Sequence, residues 1–145
     1  MSLKILGGEI GGRLLKAPKG DQTRPTTSML RKAVFDIVQP KIQGATFLDL
    51  FSGSGAMGIE AISRGAAKAI FVDSHREAIR ALKDNIALLK IEDRTEVMQS
   101  DVFKALLLLQ KRGAVCDLIY ADPPYDKSKL YTELLVFFDT SPLLA

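Results

Sequence analysis

The segment Asp122-Pro123-Pro124-Tyr125 joins a carboxylate, two residues without a backbone N–H and an aromatic ring. It follows "CDLIYA", an apolar run that reads as a buried strand. Such a loop is rich in hydrogen-bond acceptors and poor in donors. It suits a partner that donates twice from one atom, an exocyclic –NH2, and Tyr125 can stack on the flat ring carrying that amine. The segment thus reads as a clamp for the amino group of a nucleobase, with a structural Pro-Pro turn as the plain alternative. Asp122 and the Pro123 carbonyl would hold both N–H bonds and favour a more pyramidal nitrogen, whose lone pair then points at an electrophile. Positioning and electrostatics would supply most of the catalysis, and Asp122 or water would take the surplus proton.

Three more acids close predicted strands. Asp49 precedes the loop Phe51-Ser52-Gly53-Ser54-Gly55, and Gly53-x-Gly55-x-x-Gly58 forms a glycine fingerprint between a strand and a helix. Alone, the fingerprint fits a tight turn, a dinucleotide site or an S-adenosylmethionine site. Asp73 lies twenty residues after Gly53, with Ser74 beside it. A carboxylate there can accept both hydroxyl protons of a ribose, or simply support a helix N-terminus. Asp101 can accept from an adenine amino group while Val102 covers the ring, and its plain alternative is a helix N-cap. Asp49 discriminates among ligands. A carboxylate beside the glycine turn repels a pyrophosphate but attracts an ammonium, and S-adenosylmethionine carries an α-amino group and a sulfonium.

The elements that must position these residues alternate. "TFLDLF", "AIFVDS", "TEVMQSD" and "CDLIYAD" read as strands, separated by helices that Gly65 and Gly113 can terminate. Ser74 and Glu77 form a capping-box pattern, and Ala78, Ile79, Leu82, Ile86 and Leu89 give the following helix an inward face. Residues 129–138 read as a last helix. This β-α alternation predicts an α/β, Rossmann-like parallel sheet with helices on both faces. Ligands in such sheets bind at the carboxyl ends of the strands, where strand order reverses. Ahead of the sheet, "KILGGEIGGRLLKAP" predicts a small β-hairpin. A helix then starts at Thr27, with Leu30, Ala33, Val34, Ile37 and Val38 inward and Pro40 as its stop. We expect residues 1–26 to form a basic hairpin segment and residues 27–145 the sheet domain. A strand as apolar as 115–121 calls for neighbours on both sides, so further C-terminal strands of the natural sheet are expected to be missing from this chain.

Charge is uneven. Residues 1–32 hold seven basic side chains against two acidic ones, a net +5 in a chain of net +3. This asymmetry suggests a polyanionic partner, with a solvated basic edge as the plain alternative; Arg13, Lys16, Lys19, Arg24 and Arg31, with the neighbouring Thr26, are the candidate contact residues. No apolar run approaches the length of a membrane helix. Cys116 is the only cysteine, which excludes a disulfide framework and points to a reducing cytoplasm. With one histidine and one cysteine, no metal site is expected. His75 and Cys116 are expected to lie, respectively, exposed in a first helical turn and buried in the core.

In order along the chain, "GGEIGGRLLKAP", "TRPTT", "FLDLFSGSGAMGIEAISRGA", "FVDS" and "DLIYADPPY" resemble the bacterial 16S ribosomal RNA guanine-N2 methyltransferases. These are class I enzymes that use S-adenosylmethionine on a guanine of the small-subunit RNA. The resemblance implies that Asp49, Phe51, Gly53 and Gly55 hold the methionine part of the cofactor. It implies that Asp73 and Ser74 hold the ribose, and Asp101 and Val102 the adenine. Asp122, Pro123, Pro124 and Tyr125 become the catalytic clamp, and Arg24-Pro25-Thr26 lies near RNA. Ser28 departs from the family's common aspartate, and the family continues past residue 145. Other readings of the same residues are a DNA adenine-N6 or cytosine-N4 methyltransferase, a nicotinamide-dependent oxidoreductase and a non-catalytic RNA-binding scaffold.

Overall fold

A computed structural model describes residues 3–17, 27–123 and 128–145. Two short strands, β1 (Leu3–Lys4) and β2 (Leu14–Leu15), pair antiparallel as the expected hairpin. Helix α1 (Ser28–Ile42) leads into the alternating part: β3 (Thr46–Leu50), α2 (Ala56–Ser63), β4 (Lys68–Asp73), α3 (Arg76–Leu89), β5 (Thr95–Gln99), α4 (Val102–Lys111), β6 (Leu118–Ala121) and α5 (Ser128–Thr140). The four long strands form one parallel sheet in the order β5-β4-β3-β6. Successive strands step outward from β3 to β5, then the chain crosses back to place β6 on the other side of β3. The strand order therefore reverses between β3 and β6.

Side-chain alternation sends the sheet's apolar residues to two cores. Phe47, Ala69 and Phe71 pack with α1, α2, α3 and the hairpin residues Leu3, Ile5 and Leu15. Leu48, Leu50, Ile70 and Val72 pack with α4, Leu134 of α5, Cys116 and Leu143. The hairpin thus shares a core with the sheet. Beyond β6, the pairing among the described residues is a single parallel bridge, Cys116 to Leu144. Cys116 is fully buried, as expected, and burial together with Asp117 raises its thiol pKa to about 11.

Three local expectations change. Thr27, where the helical pattern was expected to start, is the N-cap of α1 and accepts from the Leu30 N–H at 3.1 Å, but the helix is turned. Its buried stripe is Arg31, Phe35 and Ile42, with Val38 half-buried, while Leu30 and Ile37 face outward. Pro40 lies within the last turn rather than ending the helix, because the chain continues to bury Ile42 completely. The Ser74–Glu77 capping box does not form. His75 is the N-cap of α3, and the Asp73 carboxylate accepts from its N–H at 2.9 Å.

Candidate cofactor and amine-binding site

The reversal point gathers the residues that the sequence singled out. Leu50 of β3 pairs with Ala121 of β6, so the Phe51–Gly55 loop and Asp122 leave adjacent strand ends. Val72 pairs with Leu50 from the other side, which brings Asp73 to the same edge.

The glycine loop is built by three different constraints. Phe51 has φ 57°, a left-handed conformation that costs a side-chain-bearing residue on the order of 1–3 kcal/mol. Gly53 has φ 56° and open space where a Cβ would stand, so its face is accessible to a ligand. Gly55 has φ 87°, and a Cβ there would meet Leu82 Cδ1 at 2.3 Å. A Cβ on Gly58 would meet the Phe71 ring at 2.3 Å. The first glycine opens the turn; the other two let α2 lie against the sheet and α3.

Two carboxylates lock this loop. Asp73 accepts from the Gly53 N–H at 2.9 Å through Oδ2, while its Oδ1 faces the His75 N–H and the ring Nδ1 at 3.2 Å. Asp49 is buried beneath the loop and accepts from the Gly58 N–H at 3.0 Å. Burial drives the Asp49 carboxyl well above its usual pKa; the Gly58 hydrogen bond opposes this and the nearby Asp73 charge adds to it. Ser52 Oγ is buried with no hydrogen-bond partner among the described residues. Ser74 is exposed beside Asp73. Asp101 is an exposed N-cap, accepting from Phe103 and Lys104 at 3.1 and 3.2 Å, and Val102 is mostly packed into the second core. On the β6 side, Asp122 is half-buried and Pro123 buried. Pro124 and Tyr125 lie outside the described residues.

The basic segment divides. Arg13 and Lys16 are exposed, with Lys16 Nζ 3.6 Å from Asp84. Lys19, Arg24 and Thr26 lie outside the described residues. Arg31 is not a surface cation: it is fully buried, donates to the Lys4 carbonyl and lies 3.5 Å from Glu60. Burial lowers its pKa, with Glu60 opposing, so the expectation that Arg31 meets a polyanion is corrected. Glu60 also accepts from the N–H groups of Leu6 and Gly7 and from Arg64. The result is a buried junction between hairpin, α1 and α2.

Sequence reasoning also passed over Asn85. Buried on α3, it accepts from the Lys16 N–H at 2.8 Å and donates to the Lys16 carbonyl at 3.0 Å and the Ser54 carbonyl at 3.1 Å. It ties the basic segment to the glycine loop. A polar residue on the inward stripe between Leu82 and Ile86 was the available signal. His75, expected to be plainly exposed, is half-buried with its ring against Asp73.

A parallel sheet of this order, with a glycine turn and strand-end acids at the reversal point, is the Rossmann-like arrangement that class I methyltransferases share. The comparisons with known proteins agree. The chain belongs to the family described as Conserved hypothetical protein 95, which matches residues 3–145. It is 39% identical to the Bacillus subtilis protein named "Putative rRNA methyltransferase YlbH", over 98% of this chain and 77% of that one. It is 36% identical to Ribosomal RNA small subunit methyltransferase D of Escherichia coli, over 88% of this chain. The match spans 63% of that enzyme, less than two thirds of its length. Among solved structures, the Escherichia coli protein titled "Putative methyltransferase yhhF" superposes with a TM-score of 0.85 at 34% identity, covering 100% of this chain and 76% of that one.

Proposed function

We propose that the protein transfers a methyl group from S-adenosylmethionine to the exocyclic N2 amine of a guanine in 16S ribosomal RNA, in the cytoplasm, with the small ribosomal subunit or an assembly intermediate as substrate. The observation that carries this reading is the pairing of Leu50 with Ala121, which sets the glycine turn and Asp122 side by side. A donor site and an amine-acceptor site are then neighbours, separated by about one strand spacing of ~4.8 Å. The names of the relatives, rRNA methyltransferases in both bacterial cases, support RNA as the substrate class.

The residues fit the cofactor. The open face at Gly53 admits a ligand against the backbone. Asp73 stands at the loop to take the ribose hydroxyls, with Ser74 beside it. Asp101 and Val102 flank the adenine end. Asp49, buried beneath the loop, accepts from the Gly58 N–H and so fixes the turn that faces the methionine part of the cofactor. When bound, the cofactor provides an electrophilic methyl on a sulfonium.

The chain's own residues do the rest. The Asp122 carboxylate and the Pro123 carbonyl accept the two N–H bonds of the target amine and fix its lone pair toward the glycine turn. Pro124 keeps the loop free of competing donors, and the Tyr125 ring stacks on the base. Asp122, or water beside it, accepts the proton released as the N–C bond forms. Arg13, Lys16, Lys19, Arg24 and Thr26 hold RNA phosphates nearby. The test is to incubate the protein with S-adenosylmethionine and unmethylated small subunits, then map the modified base. Methylation of a guanine N2 is expected; modification of another atom, or none, rejects the proposal.

A further inference from the structure

Helix α3 carries Arg76, Arg80 and Lys83 at i, i+4 and i+7. At 3.6 residues per turn these fall within about 60° of arc and along about 10 Å of one side of the helix. All three are exposed. Acids are within reach on the same helix: Glu77 and Asp84 stand three and four residues from Arg80. Yet among the described residues none of the three cations forms an ion pair, and Asp84 instead faces Lys16 at 3.6 Å. A solvated helix face would be expected to neutralise itself along its own length. This one stays positive while its acid is turned to the basic N-terminal segment.

Two contacts give the ridge a direction. At its upper end Arg76 follows His75, whose ring lies 3.2 Å from Asp73 at the candidate cofactor site. At its lower end the buried Asn85 grips the Lys16 backbone through both its N–H and its carbonyl. Lys16 also reaches the helix at Asp84, four residues beyond Arg80 and about 40° round the helix from it. Lys16 and the ridge are thus neighbours on α3.

We infer that the Arg76–Arg80–Lys83 ridge of α3 is a second phosphate-binding surface, beside Lys16, along which the substrate RNA lies as it enters the site. This rests on the reading of the protein as an RNA methyltransferase. Three phosphates neutralised by this ridge would each release counterions, so the ridge should contribute about 2–3 to the slope of log affinity against log salt.

The experiment measures that slope for unmethylated 16S ribosomal RNA by filter binding. It compares the wild-type protein, the triple variants R76A/R80A/K83A and R76E/R80E/K83E, and the control K104E/K111E/K129E, which changes exposed cations on α4 and α5. S-adenosylmethionine affinity and thermal unfolding are measured for each protein. Both ridge variants should flatten the slope by about 2–3 with cofactor affinity unchanged, and the control should keep the wild-type slope. A wild-type slope in the alanine ridge variant, or an equal loss in the control, overturns the inference. In that case continued methylation of the RNA leaves the parent reading standing. A wild-type protein that neither binds nor methylates the RNA removes the parent reading, and the ridge with it.

Discussion

The corner at the ends of β3 and β4 and the corner at the end of β6 are held in opposite ways. In the first, backbone N–H groups of Gly53, His75 and Gly58 all donate to the strand-end acids Asp73 and Asp49. Glycines there are squeezed between Phe71 and Leu82, and β4 is buried from Ala69 to Asp73. In the second, Asp122 is followed by prolines, which have no N–H to give, and β6 is only half-buried throughout. The first corner is held in place by its own backbone donors. The β6 corner is bordered instead by Pro123 and Pro124, residues that have no N–H with which to lock an acid in the same way. The contrast teaches that a corner locked by backbone donors and a corner bordered by prolines can stand side by side at one reversal of strand order.

The contrast can be broken first at Asp122. Asp122→Ala should lower single-turnover methyl transfer on unmethylated small subunits by about 10²–10³-fold, while calorimetry finds S-adenosylmethionine affinity nearly unchanged. Parental turnover would leave the prolines as a mere turn. Asp122→Asn should be milder, since its amide oxygen still accepts.

Next comes the locked corner. Gly55→Ala adds a methyl against Leu82 in a left-handed conformation and should cost about 2–4 kcal/mol in urea unfolding. Gly53→Ala, with φ 56° but open space, should cost only about 1–2 kcal/mol and act mainly on ligand binding. Equal costs would show that packing does not distinguish the two glycines.

Asp73→Ala should weaken S-adenosylmethionine binding by roughly 1.5–3 kcal/mol, the scale of hydrogen bonds to a charged group. Unchanged affinity would remove the ribose from Asp73 and leave it as the partner of Gly53 and His75.

The smallest effect concerns Asp49. Its folded pKa is raised, so the folded state holds the proton more tightly than the unfolded chain does. Stability should therefore fall as pH rises from the ordinary carboxylate range through the raised value. Asp49→Asn should flatten that decline in denaturant midpoints measured across pH. A parallel curve would place the pH dependence elsewhere.

The sheet was legible because β-α alternation, glycine stops and strand-end acids are local signals. Strands β3 to β6 and helices α2 to α5 lie where these signals put them. Asp73, Asp49 and Asp122 were legible by position along the chain. Arg31 was not, because counting charges in a segment assumes exposure. Its burial depends on Glu60 and on the Lys4 carbonyl, and no local pattern announces either partner. The same long-range contacts turned α1 and placed Ile37 in solvent. The Ser74–Glu77 box failed because the helix starts one residue later, with His75 as its N-cap, so the two residues are out of register for it. Asn85 escaped because its three bonds join segments 69 and 31 residues away.

The central claim is that an acid-edged glycine turn at the β3–β6 reversal takes S-adenosylmethionine rather than a dinucleotide. Calorimetric titration of the wild-type protein with S-adenosylmethionine and, separately, with NAD tests it directly. Saturable 1:1 binding of S-adenosylmethionine with no heat from NAD is expected; saturable binding of NAD, with none of S-adenosylmethionine, would contradict it.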